Sequence, residues 1–434
     1  MNTNIADFGA CGDGRTQDTA AIQQAIDACA QSGGGTVTVP AGTYLSGTVW
    51  LRDDVELHLA HGSVLLASDR LEDYNPTDAY PQNADCPPEG WCGKHLILAV
   101  GCRNVALTGT GRVVGAADAF FGGELHWFSD YCWGQGYYST PAGQPLRPGQ
   151  LICFIECQDV FVADIRIERS TCWSLFLHGC DRVQVHGISV RNHPQHVNTD
   201  GIDIDCCSFV TVDGCLIDTG DDAIAIRGNA VRLSDPKKRC EYVTVTNCVL
   251  SSSASAVRIG VGSSAIRHIR LSGLIIRHAG EGILLQSHYP GGKAVSITDV
   301  TVSDVTGESM GTPIAFLATE GEIRRITFQH FRSGCECRIY AEGAAGSLSD
   351  LRLDDVEITD RQRPLRDAAL ARQSRGSSIA AFHNVQRLCL HDCRFILSED
   401  YFEDRPRVLA FPDCQVTECG VRQLWKGDET AVAP

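Results

Sequence analysis

The stretch His196-Val197-Asn198-Thr199-Asp200-Gly201-Ile202-Asp203 is followed by a second acidic stretch, Asp218-Thr219-Gly220-Asp221-Asp222-Ala223-Ile224. Asp200 and Asp221 are 21 residues apart. Each cluster opens a short apolar alternation, Ile202-Asp203-Ile204 after the first and Ile224-Ala225-Ile226 after the second. Alternation of this kind marks a β-strand. Two strands repeated at a fixed offset predict two rungs of a coiled sheet. Neighbouring strands lie about 4.8 Å apart, so Asp200 is expected almost above Asp221 and Asp222. Three carboxylates that close repel one another, and their pKa values are pushed apart. Carboxyl groups with separated pKa values are what acid–base cleavage of a glycosidic bond needs.

The same period continues outward from these rungs. Cys102-Arg-Asn-Val105, Cys157-Gln-Asp-Val160, Cys180-Asp-Arg-Val183, Cys207-Ser-Phe-Val210 and Cys240-Glu-Tyr-Val243 share one pattern, and matching alternation returns near Ile269, Ile297, Ile326, Leu351 and Leu388. Strand-like units at this spacing predict a solenoid, because a single unit cannot bury its apolar face alone and stacking does so. The cysteines then fall in one column, expected to pack as small apolar residues at a buried corner rather than to serve metal or redox chemistry. Cys206-Cys207 and the Cys335/Cys337 pair are read the same way.

Toward the N-terminus, Asp18-Thr19 is placed to cap a helix with the apolar face Ile22, Ala25, Ile26 and Cys29, and Gly33-Gly34-Gly35 stops it. That helix is expected to cover the open end of the solenoid. Residues 69–150 break the repeat twice. One break, Asp73 to Trp91, is Pro-rich. The other carries Phe120, Phe121, Trp127, Phe128, Tyr131, Trp133, Tyr137 and Tyr138, rings that either pack a loop or form a wall of a sugar site. Arg361, Arg363, Arg366, Arg372 and Arg375 crowd a later insertion; a solvated face is the default reading of such a run, with a cleft-rim or oligomer contact second.

The chain has 434 residues and a formal net charge of −16. That balance argues against a nucleic-acid or anionic-membrane partner. The first residues have no basic start or apolar run, and no stretch is long enough to span a bilayer. With 21 cysteines, a reducing cytoplasm is the expected compartment; removal of a leader is the competing explanation. The whole reads as one domain over 1–434: a cap and first rungs at 1–66, long insertions at 69–150 as a cleft wall, regular rungs at 151–400, and a C-terminal cap or tail at 401–434.

Asn198-Thr199-Asp200 and Gly220-Asp221-Asp222, one rung apart within a repeat, resemble the two acidic motifs of glycoside hydrolase family 28, the polygalacturonase family. Asp7-Phe8-Gly9-Ala10 with Gly12-Asp13-Gly14 resembles the opening of its bacterial members. The resemblance runs from Asp7 to about Gly292. It implies an all-β, right-handed parallel β-helix, here of roughly ten rungs, and inverting hydrolysis of an α-glycosidic bond in pectin-derived oligosaccharides. By the same resemblance Asp221 is the general acid, while Asp200 and Asp222 hold and activate the attacking water. No cofactor or metal is implied, and the partner is an oligosaccharide. Trp173 and His178 fall where bacterial members often place an aromatic and a His facing the cleft, and Asn198 belongs to the same substrate-binding set.

The departures bear on specificity. Where the family carries a Gly-His-Gly motif, this chain has Ala254-Ser255-Ala256, and where the family has Arg-Ile-Lys it has Leu284-Leu285-Gln286. Both family cations at the uronate subsite are missing. Arg258, Arg227, His288 or Lys293 supplies a relocated cation, or the bound sugar is neutral, with Gln286 as a polar contact. A β-eliminating lyase, an isomerase or transglycosidase on the same scaffold, and a non-catalytic sugar-binding β-helix are the other classes weighed. The acid trio speaks against the lyase and the binding module.

Overall fold

The computed structural model describes residues 2–79, 91–122, 146–289, 292–335, 338–360, 379–397 and 409–425. Within them the repeats are turns of one coil. Helix α1 (Thr19–Gln31) precedes the strands that position the acids: β1 (Leu175–His178), β2 (Ile202–Asp205), β3 (Ile224–Gly228), β4 (Ser255–Gly262) and β5 (Ala265–Gln286). Each of these strands pairs in parallel with the next. Two further walls close the turn. One stacks Gln158–Ala163, Asp181–His186, Ser208–Asp213 and Cys240–Thr246. The other stacks Arg166–Glu168, Ser189–Arg191, Leu216–Thr219 and Val249–Ser252. A parallel ladder needs a crossover connection, and here the rest of the turn provides it. The expected all-β parallel helix is therefore the architecture, with ladders from Asn2 to Trp425. No helix among the described residues is long and apolar enough to cross a membrane.

Fixed register makes the core a set of columns. Val105, Val160, Val183, Val210, Val243, Ile269, Val300, Ile326, Leu351 and Leu388 stand one above another, all buried. Val300, rather than Ile297, lies over Ile269, and Ile297 pairs with Ile266. Cys102, Cys157, Cys180, Cys207 and Cys240 are buried as expected. The thiols point back at main-chain oxygens of the preceding turn, as in Cys180 Sγ to Phe154 O at 3.2 Å and Cys207 Sγ to Leu177 O at 3.3 Å.

α1 buries Ile22, Ala25, Ile26 and Cys29 against the first turns. Asp18 does not cap it through its side chain; the carboxylate instead accepts from the backbone N–H groups of Cys11 and Gly12, at 2.7 and 3.1 Å. The chain leaves α1 through Gly34, where a Cβ would lie 2.4 Å from the Asp54 carbonyl oxygen.

One corner repeats a left-handed residue in turn after turn. Asp159, Arg182, Phe209, Tyr242, His268, Asp299, Arg325, Asp350 and Arg387 have φ between 56 and 60°. Such backbone costs roughly 1–2 kcal/mol per non-glycine residue. The side chains offset part of this by stacking between turns. Phe209 lies on Tyr242 at 5.1 Å and Tyr242 on His268 at 5.0 Å. Arg182 forks onto Asp159 and Arg325 onto Asp299, each with a shortest contact of 2.6 Å.

If the cysteine column serves packing alone, Cys207→Ala should lower stability by roughly 0.5–3 kcal/mol, read by urea unfolding, and leave turnover unchanged. Loss of activity in a fully folded Cys207→Ala protein would overturn the packing role.

Candidate active site

The acids stand just before the strands of one wall. Ladder hydrogen bonds carry this column from turn to turn: Ser174 N–H to Asp200 O, Gly201 N–H to Asp222 O and Ala223 N–H to Ser255 O, each at 2.9 Å. Ser255 in turn pairs with Glu281. Trp173, Asp200, Asp222, Ser255 and Glu281 thus form one column. Beside it runs Phe176, Asp203, Ala225, Arg258 and Leu284, and beyond that His178, Asp205 and Arg227.

The turns that deliver the acids are held by local bonds. The Thr199 hydroxyl donates to His196 O at 2.7 Å, and the Thr219 and Ser252 hydroxyls donate to Asp221 O at 2.6 and 2.7 Å. Gly220 is required because a Cβ there would sit 2.3 Å from His196 O. Asn198 is left-handed at φ 54°, which lets its N–H donate to Asp221 Oδ2 at 3.1 Å.

The three acids come together as the repeat predicts. Asp200, Asp221 and Asp222 each offer a carboxylate oxygen, all within 4.8 Å of one another. Asp200 and Asp222 are buried, and Asp221 is half-buried. Such a trio could also receive a cation, although Arg258 already brings positive charge to it. Arg258 Nε lies 2.6 Å from Asp222 Oδ2, and the Ser255 N–H donates to Asp222 Oδ1 at 3.1 Å. Ala256 and Val257 both belong to the apolar core, so strict alternation fails there, and Arg258 and Ser255 both meet Asp222.

Trp173, His178 and Arg227 gather in one buried patch. Arg227 lies 4.4 Å over the Trp173 ring and 3.7 and 3.8 Å from Asp203 and Asp205. His178 is 3.6 Å from Asp205. Asp203 and Asp205 are fully buried. They occupy alternate positions of β2 that face away from the core, where Arg227 and His178 cover them. Gln286 and His288 fall elsewhere. Gln286 pairs with Gly260 and Leu317, two turns beyond Asp222, which is about 10 Å. His288 faces Glu320 at 3.7 Å and bridges to Ala294. Of the aromatic segment, Phe121 reaches the acidic turn by stacking on His196 at 4.2 Å. Trp127, Phe128, Tyr131, Trp133, Tyr137, Tyr138 and the arginines at 361–375 lie outside the described residues.

Two site residues escaped the sequence reading. Glu281 accepts a 2.9 Å hydrogen bond from the Ser255 hydroxyl; its only signal was a lone acid between Gly280 and Gly282. Arg147 is fully buried and donates from Nη2 to Asn198 Oδ1 and from Nε to Thr171 O, both at 2.7 Å. It lies in an insertion with no periodicity to flag it.

Burial dominates the electrostatics. It raises the Asp200 carboxyl well above the usual carboxylate range, helped by Asp221, Asp203 and Asp222 and opposed by Arg258. Burial likewise pushes Glu281 up to about 7. At Asp205 burial is outweighed by His178, Arg227 and the Asn229 N–H, and its pKa falls. His196 is pushed down to about 4 by burial and by His193, so it is neutral beside the acids. Asp203 is pushed up to about 8, burial prevailing over Arg227 and Arg258. Its folded pKa exceeds the unfolded value, so its stabilising proton is fully present below about pH 4 and lost as pH rises through about 8. Stability should fall across that window by about 1.4 kcal/mol per pH unit for each such proton. Asp203→Asn should flatten the decline in unfolding free energy between pH 5 and 8; an unchanged slope would show that Asp203 is ionised in the folded protein.

Comparison with known proteins gives the same picture. A family model described as rhamnogalacturonase A/epimerase, pectate lyase-like, matches residues 2–127, and that of glycosyl hydrolases family 28 matches residues 132–240. A probable polygalacturonase of Vitis vinifera is 24% identical over 319 residues, covering 71% of this chain and 61% of that protein. An exo-poly-alpha-D-galacturonosidase of Dickeya chrysanthemi is 49% identical over 77 residues, 18% of this chain and 12% of that protein. The chain thus spans less than two thirds of either relative. Among solved structures, the family 28 exopolygalacturonase of Yersinia enterocolitica superposes with TM-score 0.59 at 18% identity, covering 99% of this chain and 78% of that one. The hyperthermoactive exopolygalacturonase of Thermotoga maritima gives 0.54 at 19% identity, covering 98% and 92%. The structural likenesses show a shared fold, and the family-model match over residues 132–240 together with the polygalacturonase relatives makes the chain similar to polygalacturonase-like proteins of glycoside hydrolase family 28.

Proposed function

We propose that the chain hydrolyses an α-glycosidic bond in pectin-derived oligosaccharides with inversion, releasing a neutral terminal sugar. The observation that carries the reaction type is the trio Asp200, Asp221 and Asp222, with oxygens within 4.8 Å of one another and Asp200 raised well above the carboxylate range. Groups this close titrate as a unit, and the raised Asp200 carboxyl keeps a proton on the trio above the usual carboxylate range. Asp221 is the most accessible of the three and delivers it to the leaving oxygen as the glycosidic C–O bond breaks. Water adds to the anomeric carbon from the other face, and its proton passes to the Asp200–Asp222 side. Arg258 and the Ser255 N–H hold Asp222 oriented for that task.

The neutral glycone is supported by how the cations are spent. Arg258 is committed to Asp222 at 2.6 Å, and Arg227 to Trp173, Asp203 and Asp205. Asp200, Asp203, Asp205, Asp222 and Glu281 are all buried on this face, and a uronate brought against them would add unpaired charge to a low-dielectric site, at a cost of several kcal/mol. A uronate held by a displaced Arg258 is the competing reading, favoured by the galacturonate-cleaving names of the relatives. Action at chain ends is supported by Phe121 and Arg147, which bring the long insertion against the acidic turn. Free thiols such as Cys157, Cys180 and Cys207 fit a reducing compartment, where such an enzyme meets short fragments.

Asp221→Asn should lower turnover by about 10²–10⁴-fold, the usual contribution of general acid catalysis, with the thermal transition unchanged. Near-wild-type turnover would remove Asp221 from the mechanism. On a panel of pectic oligosaccharides and polymers, neutral chain-end sugars should be released without a rapid loss of viscosity. Arg258→Ala should then depress every cleaved substrate alike, by about 10²-fold or more, as loss of one electrostatic partner does. Selective loss on uronate substrates would instead assign Arg258 to the substrate carboxylate.

A further inference from the structure

We propose that Arg147 is the positioning residue of Asp221, acting through Asn198. Asn198 belongs to the motif by which substrate contacts were expected, yet its side-chain oxygen is taken by Arg147 Nη2 at 2.7 Å. The same guanidinium donates from Nε to Thr171 O at 2.7 Å and lies 5.1 Å over the Phe121 ring, which also stacks on His196. One planar group thus ties together the turn before β1, the insertion and the acidic turn before β2. An arginine fork fixes direction as well as distance. It holds Asn198 in its left-handed conformation, and only in that conformation does the Asn198 N–H point at Asp221 Oδ2, 3.1 Å away. Arg147 itself sits in a short parallel strand, Arg147–Pro148, paired with Trp91–Cys92. The described end of the insertion is thereby a part of the catalytic geometry. A lysine could not take over this task, since one ammonium cannot reach both oxygens in the plane of a fork.

This inference rests on the hydrolytic reading for its kinetic arm alone. The arm free of activity is amide hydrogen exchange in the full-length protein. In Arg147→Ala the Asn198 amide should exchange at least tenfold faster, while ladder amides of β2 and β3 keep their protection. Millimolar guanidinium should restore the slow exchange and ammonium should not. Unchanged exchange at Asn198, or loss of protection throughout β2 and β3, would overturn the proposal; Arg147→Lys, which keeps the charge, should behave as Arg147→Ala. In the kinetic arm, on whichever oligosaccharide the wild-type protein cleaves, Arg147→Ala should lower kcat about 10²-fold, the usual effect of a misplaced catalytic group, with KM nearly constant. It should cost nothing further in an Asp221→Asn background, because residues acting as one unit are not additive. Additive losses would overturn the link to Asp221. A wild-type protein that cleaves no member of the panel, with Asn198 exchange responding as stated, would sink the hydrolytic reading and leave the positioning link standing.

Discussion

The parallel ladder from one turn to the next sets everything else in this protein. Each residue is held about 4.8 Å from its counterpart in the next turn, so whatever the sequence repeats is stacked on itself. For valine and isoleucine this is favourable and yields a continuous apolar core. For cysteine it yields a column of buried thiols aimed at carbonyl oxygens. For aspartate it forces like charges together, and the fold answers by three means: a raised proton affinity at Asp200, a half-buried arginine at Asp222 and backbone N–H donors at Asp221 and Asp222. The closeness of the trio is thus a by-product of register.

That dependence explains what the sequence discloses. The coil was legible because its period is written in Val160, Val183, Val210 and Val243, and ladder register follows from apolar alternation. The trio was legible for the same reason, since Asp200 and Asp222 occupy one position in successive turns. Side-chain partners across columns were not legible. That Arg258 meets Asp222 was hidden because alternation breaks where Ala256 and Val257 both enter the core. Asp203 and Asp205 alternate with Ile202 and Ile204 as solvent-facing residues do, and only the reach of Arg227 and His178 buries them. Arg147 and Glu281 carry no pattern at all, because long-range contacts from an insertion have no repeat behind them.

The two arginines near the acids show how one residue type takes two tasks. Arg258 sets its guanidinium against the Asp222 carboxylate. Arg227 lies on Trp173 and between Asp203 and Asp205, in a patch where Asp205 is depressed and Asp203 is elevated. The patch therefore holds charge of both signs without a net surplus of cation.

The left-handed corner limits how such a coil can change length. Asp299, Arg325, Asp350 and Arg387 alternate in sign up the corner, with Arg325 forked onto Asp299 and Arg387 onto Asp350. Excising the single turn that carries Arg325 would preserve every backbone ladder and still set Asp299 against Asp350. Excising two turns would restore opposite charges. The strip thus acts as a parity rule on the number of turns, written in surface side chains rather than in the core, and a spliced or redesigned coil would have to obey it.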